Sequence, residues 1–124
     1  MRAWGVASAL LFTGIAFAEG DPDRGRSLVA DRFAGMCLLC HKAPIPEERF
    51  QGDLAPDLAG VGARLSREEL RSRLVDPRRA NPRTIMPAYF STDGLTRVAP
   101  AYRGKTIFTA QQVEDVVAYL ATLR

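Results

Sequence analysis

The most regular pattern of apolar and polar positions lies at the end of the chain. Thr109-Ala110-Gln111-Gln112 is a capping box, in which a threonine and a glutamine three residues later satisfy the first backbone N–H groups of a helix. Apolar residues then recur at a helical period. They are Val113, Val116, Val117, Leu120 and Leu123. The pattern predicts a long helix with one buried face.

A second helix is predicted where Asp21 can cap, Pro22 suits the first helical position and Asp23 favours the positive helix end. It should run toward Ala34, with one apolar face. A glycine within it indicates either the close approach of another helix or a solvent-exposed position. The face comprises Leu28, Val29 and Phe33, and the glycine is Gly25. We expect this helix to pack on the last one.

A third helix begins at the capping box Ser66-Arg67-Glu68-Glu69. It carries Leu70, Leu74 and Val75 on one face, and Asp76-Pro77 should end it. The remaining segments are rich in glycine and proline, which indicates loops, with a short hairpin as one option around Asp93-Gly94. The sequence therefore predicts an all-α domain of about three main helices connected by long loops.

Residues 1–18 have the composition of an export signal. Arg2 supplies the positive charge, Trp4 to Phe17 the apolar core, and Ala16-Phe17-Ala18 a small-residue cleavage site. A retained membrane anchor is the alternative, but the apolar stretch is shorter than the roughly 20 residues of a membrane span. We expect cleavage after Ala18, a single mature domain of residues 19–124 without a membrane span, and a periplasmic location.

Charge says little about binding partners. Without Arg2, the 17 basic residues become 16 against 14 acidic ones, a net charge of +2. Export makes nucleic acid an improbable target. A mature chain of this size has little apolar area of its own to bury, so a large flat cofactor would supply part of its core.

The two cysteines and the single histidine of the chain all lie in Cys37-Leu38-Leu39-Cys40-His41. Two thiols separated by two residues can each add to a haem vinyl group, and the adjacent imidazole then becomes the proximal iron ligand. A thioredoxin-type disulfide would need a strand before the motif, and a zinc site would need two further ligands. The motif therefore predicts one covalently attached haem c, with His41 as an iron ligand.

The second iron ligand is predicted from the short list of methionines. Met1 leaves with the signal, Met36 is too close to Cys37 to reach the opposite haem face, and Met86 remains. The Met86-Pro87 step biases Met86 toward extended backbone, which suits a loop that delivers a thioether. Lys42 and Lys105 are alternatives that would have to be deprotonated, whereas Tyr89 and Tyr102 are expected to be packing residues.

The remaining N–H of His41 needs an acceptor, because such partners fix the tautomer of a metal-bound imidazole. Pro56 is a candidate through its carbonyl group, although it could equally be a simple turn proline. The haem motif, the later Pro56-Asp57-Leu58 and the Met86-Pro87 step resemble those of class I cytochromes c. That resemblance implies a small class I cytochrome c fold with haem-wrapping loops, in which the Pro56 carbonyl accepts a hydrogen bond from His41.

Three longer stretches resemble the SoxX family, the X subunit of the Sox sulfur-oxidation cytochrome pair. They are residues 48–62, residues 84–90 around Met86, and residues 95–120. Ala55 departs from the glycine that is common in that family. The resemblance implies a heterodimer with a SoxA-like haem subunit that carries the thiosulfate site, coupling of thiosulfate to a cysteine of the SoxYZ carrier, and electron transfer from this chain to a small c-type cytochrome.

Three functions of different kinds stay open at this point. The chain could be the non-catalytic electron-transfer subunit of a thiosulfotransferase complex, a freely diffusing cytochrome that serves an oxidase or dehydrogenase, or a haem sensor with an open distal face. The long irregular segment from Thr84 to Phe108 favours the subunit, because an ordered loop of that length can form a partner surface.

Overall fold

The computed structural model describes residues 19–124, and in this range the chain is all-α. Its four α-helices are α1 (Pro22–Ala30), α2 (Val61–Arg64), α3 (Arg67–Val75) and α4 (Ala110–Thr122). Single 3-10 turns occupy Cys37–Leu39, Pro77–Arg79 and Pro100–Tyr102. The three longer helices are those predicted from the sequence, and both capping boxes are present with reciprocal side-chain and backbone hydrogen bonds.

Helices α1 and α4 cross at unusually short range, and this crossing is the largest helix–helix contact of the described residues. A Cβ atom on Gly25 would lie only 1.9 Å from the Asp115 carbonyl oxygen and 2.9 Å from the Tyr119 Cβ. Only glycine lets the two backbones approach this closely. Of the two alternatives for Gly25, the structure shows the close approach of another helix.

A buried carboxylate joins the same two helices. Asp115 of α4, which is 2% exposed, accepts hydrogen bonds from the Arg24 guanidinium at 2.9 and 3.1 Å. The same carboxylate accepts from the Asp21 backbone N–H at 2.7 Å and from the Gln111 side chain at 2.9 Å. Led by the bond to Arg24, these interactions lower the pKa of Asp115 to about 2. The start of α1 is thus fixed to the middle of α4.

The apolar core lies between α4 and the elements on either side of it. Val113, Val116, Val117 and Leu120 of α4 are buried against Val29 of α1 and against the α3 residues Leu70 and Leu74. Phe108, which is 1% exposed, closes the core just before α4 begins. The predicted buried faces of α3 and α4 are confirmed.

Two sequence predictions about local structure are wrong. Helix α1 ends at Ala30 instead of continuing toward Ala34, because the Asp31 carboxylate accepts hydrogen bonds from the Phe33 and Ala34 N–H groups and turns the chain. Phe33 therefore leaves the buried face and is 96% exposed. The hairpin considered at Asp93-Gly94 does not form, since the described residues contain no strand and Gly94 occupies a turn at φ 68°.

The predicted signal segment, residues 1–18, lies outside the residues that the structure describes. Among residues 19–124, no helix is both long enough and apolar enough to span a bilayer.

Replacing Asp115 with asparagine should lower the free energy of unfolding by about 2 kcal/mol, because the Arg24 guanidinium loses its buried anionic partner. Glu114→Gln is the matched control, since the Glu114 side chain is 21% exposed, against 3% for Asp115, and its pair with Arg71 should contribute less than about 1 kcal/mol. Urea titration of both variants measures the difference, and equal losses would contradict the special role of Asp115.

The depressed pKa also sets an acid limit on stability. Because Asp115 binds its proton less readily in the folded than in the unfolded chain, its contribution is complete above the ordinary carboxyl pKa and is lost as the pH falls toward about 2. The difference in stability between wild type and Asp115→Asn should accordingly shrink as the pH is lowered from neutrality toward this value.

Candidate haem-binding site

The cysteine–histidine motif forms one tight turn. Met36 starts it in the left-handed region at φ 59°, Cys37–Leu39 is a 3-10 turn, and the His41 N–H donates to the Cys37 carbonyl at 2.9 Å. Both thiols are free, and burial raises the pKa of the Cys37 thiol to about 11. The motif therefore forms a compact turn over residues 36–41.

A second segment runs beside this turn and is paired with it by backbone hydrogen bonds. Three N–H groups of the segment donate to carbonyls of residues 38–42. The pairs are Gly52 to Leu38 at 2.8 Å, Ala55 to Cys40 at 2.9 Å, and Leu58 to Lys42 at 2.8 Å. A Cβ on Gly52 would lie 2.2 Å from the Leu39 carbonyl oxygen, so the pairing requires glycine at this position.

This pairing brings Pro56 onto the histidine. His41 Nδ1 lies 2.6 Å from the Pro56 carbonyl oxygen. A carbonyl can only accept, so Nδ1 carries the hydrogen and donates it, and Nε2 keeps its lone pair for a metal. The structure therefore forms the hydrogen bond for which Pro56 was a candidate, and the protein alone sets the tautomer that iron ligation requires.

Gln51 holds the loop of residues 43–48, a role that the sequence motifs did not predict. Its side-chain oxygen accepts from the Ala43 N–H at 2.8 Å, and its side-chain nitrogen donates to the Ile45 and Glu48 carbonyls, each at 3.0 Å. One amide thus satisfies three backbone groups of residues 43–48. In the sequence, Gln51 shows only as a polar residue within a long irregular segment, which does not by itself indicate this role.

Met86 lies on a separate segment that is anchored in the core. Its N–H donates to the Thr84 hydroxyl at 3.1 Å, and its side chain is partly buried against the core residues. Three residues later, Tyr89 is 3% exposed, and its hydroxyl donates to the Gly35 carbonyl. Tyr89 is a packing residue as expected, but it also bonds to the chain just ahead of the cysteine motif.

The residues present fit a covalently held haem. Two unpaired thiols with two residues between them, an imidazole with one nitrogen free, and a thioether are the donor set that c-type haem uses. Large apolar side chains next to these residues are exposed and offer a surface to a porphyrin: Leu39 at 49%, Leu54 at 74% and Ile85 at 83%. Cys37, Cys40, His41 and Met86 would hold the group.

The two alternatives for the cysteines lack their structural context. Within residues 19–124 there is no strand ahead of the motif, as a thioredoxin-type disulfide would need. The same part of the chain brings no three histidine, cysteine or acidic side chains together as a metal cluster, as a zinc site would need.

The comparisons with known proteins agree with this geometry. The family model "Cytochrome c" matches residues 23–124. The all-helical fold and the haem motif therefore define an electron-transfer domain, and the chain belongs to the cytochrome c family. A search of curated proteins gives no match.

A solved structure narrows the class. A chain in the crystal structure of SoxXA from P. pantotrophus is 35% identical, with a TM-score of 0.78, and the match covers 86% of this chain and 83% of that one. The chain is a SoxX-like class I cytochrome c, as the sequence resemblance indicated.

The Gln51 clamp predicts the result of an isosteric exchange. Gln51→Glu replaces the donating nitrogen with an oxygen that faces the Ile45 and Glu48 carbonyls, and we expect a loss of about 2 kcal/mol in the free energy of unfolding. Gln112→Glu is the control, because a glutamate at this capping-box position keeps the bond to the Thr109 N–H and should be neutral or slightly stabilising. Equal unfolding midpoints for the two variants would refute the clamp.

Proposed function

We propose that the mature chain, residues 19–124, is a periplasmic mono-haem cytochrome that relays electrons as the X subunit of a thiosulfate-oxidising SoxAX complex. The observation that carries the electron-transfer part is the hydrogen bond from His41 Nδ1 to the Pro56 carbonyl at 2.6 Å. This bond fixes the imidazole tautomer in which Nε2 is free to bind iron. Residues 1–18 would direct export as a signal peptide.

In this proposal Cys37 and Cys40 form the thioether links and His41 is the proximal ligand. Met86 is the distal ligand, since a thioether suits ferrous iron and raises the reduction potential. Bound haem supplies a one-electron redox couple. The protein would contribute the orientation of His41 through Pro56, the placement of Met86 through the Thr84 hydroxyl, and an exposed apolar surface for the porphyrin.

The Sox assignment rests on the likeness to the SoxXA structure and on the use of both cysteines of this chain for haem attachment. Its two cysteines both belong to the tight turn of residues 36–41, the attachment turn, so no thiol remains for covalent chemistry with thiosulfate. Chemistry on sulfur would therefore take place on the partner, a SoxA-like haem subunit. Electrons would pass through this chain to a small c-type cytochrome while thiosulfate is coupled to the SoxYZ carrier.

Met86→Ala tests the distal ligand. The variant should lose the weak long-wavelength sulfur-to-iron band of the ferric protein, and its reduction potential should fall by on the order of a tenth of a volt, within the range of about 0.8 V that axial ligands set. Met36→Leu is the control and should keep the band, because Met36 begins the attachment turn. A normal spectrum in Met86→Ala would rule out Met86 as the ligand.

Purification of the native protein tests the subunit. It should co-elute with a second haem protein during size-exclusion chromatography and show no thiosulfate-coupling activity when separated from it. Elution as a monomer that exchanges electrons with an oxidase or a dehydrogenase would instead support the freely diffusing carrier. Full thiosulfate activity from the isolated chain would contradict the proposal.

A further inference from the structure

Tyr89 connects the segment that carries Met86 to the attachment turn. It follows Met86 by three residues, so the two Cα atoms are at most about 10 Å apart along the chain. Its hydroxyl donates to the Gly35 carbonyl, two residues before Cys37 and 54 residues away in sequence. A single side chain therefore joins the segment that carries Met86 to the residues just before Cys37.

The acceptor of this bond is itself rigid. A Cβ on Gly35 would lie 2.0 Å from the Leu28 carbonyl oxygen, so Gly35 is seated directly against α1. The N–H groups of Gly35 and Met36 both donate to the Asp31 carbonyl, at 3.1 and 3.0 Å. The Tyr89 hydroxyl thus bonds to a point that cannot move without displacing the end of α1.

The backbone and ring of Tyr89 are fixed as well. Its N–H donates to the Leu74 carbonyl of α3 at 2.9 Å, and its carbonyl accepts from the Phe108 N–H at 2.9 Å. The Tyr89 and Phe108 rings are tilted by 35° with centroids 4.6 Å apart. Burial is the main reason that the pKa of Tyr89 is raised, so the hydroxyl keeps its hydrogen and remains a donor.

Haem attachment would make the chain more dependent on this bond. The Cys37 Sγ is 3.5 Å from the same Gly35 carbonyl and can donate its thiol hydrogen to it. A thioether has no S–H, so the Tyr89 hydroxyl would become the remaining side-chain donor to Gly35.

We propose that Tyr89 is a positioning residue for the distal ligand, and that its hydroxyl bond to Gly35 holds the Met86 sulfur at bonding distance from the iron. The inference rests on the ligation of Met86 in the proposed function. Without the bond, residues 86–89 keep their hydrogen bonds to α3 and Phe108 but lose the one that joins them to the chain just before the attachment turn. The Met86–iron bond then opens more readily.

The test measures how tightly imidazole, which competes with the methionine, binds to the ferric holoprotein. Tyr89→Phe keeps the ring and removes the hydroxyl, and it should bind imidazole about tenfold more tightly than wild type, the order of effect expected from one buried hydrogen bond. Its reduction potential should fall as well. Tyr119→Phe, which removes a hydroxyl from a buried tyrosine of α4, is the control and should stay within about twofold.

A double-mutant cycle separates positioning from general destabilisation. In a Met86→Ala background there is no thioether to position, so adding Tyr89→Phe should leave the imidazole affinity unchanged. An equal effect of Tyr89→Phe in both backgrounds would show a merely structural role and would overturn the inference. If Tyr89→Phe does not fold, Phe108→Leu loosens the ring while keeping the hydroxyl, and it should shift affinity in the same direction by a smaller factor.

The two proposals fail in different ways. If Met86→Ala binds imidazole tightly while Tyr89→Phe behaves like Tyr119→Phe, Met86 is the ligand and the role of Tyr89 is refuted. If the wild type already binds imidazole as tightly as Met86→Ala, Met86 is not the ligand, and the inference about Tyr89 is refuted with it.

Discussion

The close crossing of α1 and α4 is the constraint on which the rest of the structure depends. Gly25 removes the side chain that would keep the two backbones apart, and Asp115 supplies the charged hydrogen bonds that lock the start of α1 to α4. The crossing joins the first and last helices of residues 19–124. Everything between them is then a long connection whose ends are fixed, and the site residues all lie on that connection.

The connection is held by hydrogen bonds more than by regular structure. One part, residues 37–58, pairs the cysteine–histidine turn with the segment that contains Pro56, and Gln51 satisfies the backbone between them. The other part carries Met86 and is anchored on α3 and Phe108 through Tyr89. Backbone groups that have no helix or sheet to join must find partners in this way, because leaving them unpaired in the interior is costly.

The sequence reveals the helices and the candidate haem-binding residues better than it reveals the contacts that orient them. Capping boxes and apolar periodicity are local patterns, so they predict α3 and α4 with their buried faces. The cysteine–histidine motif is also local and indicates haem attachment by itself. The helical period continues past the true end of α1, because the Asp31 side chain competes for the backbone there, and Phe33 consequently lies on the exposed surface. Sequence patterns do not reveal the hydrogen bonds of Gln51 and of the Tyr89 hydroxyl. Their acceptors include backbone carbonyl groups, which every residue has and which only the tertiary fold brings near.

The hydrogen bonds of His41 and Tyr89 also differ in how far apart their partners lie along the chain. The bond from His41 to Pro56 closes a separation of 15 residues, whereas the bond from Tyr89 to Gly35 closes one of 54. The longer closure costs about 1 kcal/mol more in chain entropy, and contacts between distant residues generally slow folding. The bond from His41 to Pro56 therefore involves only a short stretch of chain. The bond from Tyr89 to Gly35 requires that the segment after α3 lies against the end of α1, because Gly35 is packed on the Leu28 carbonyl.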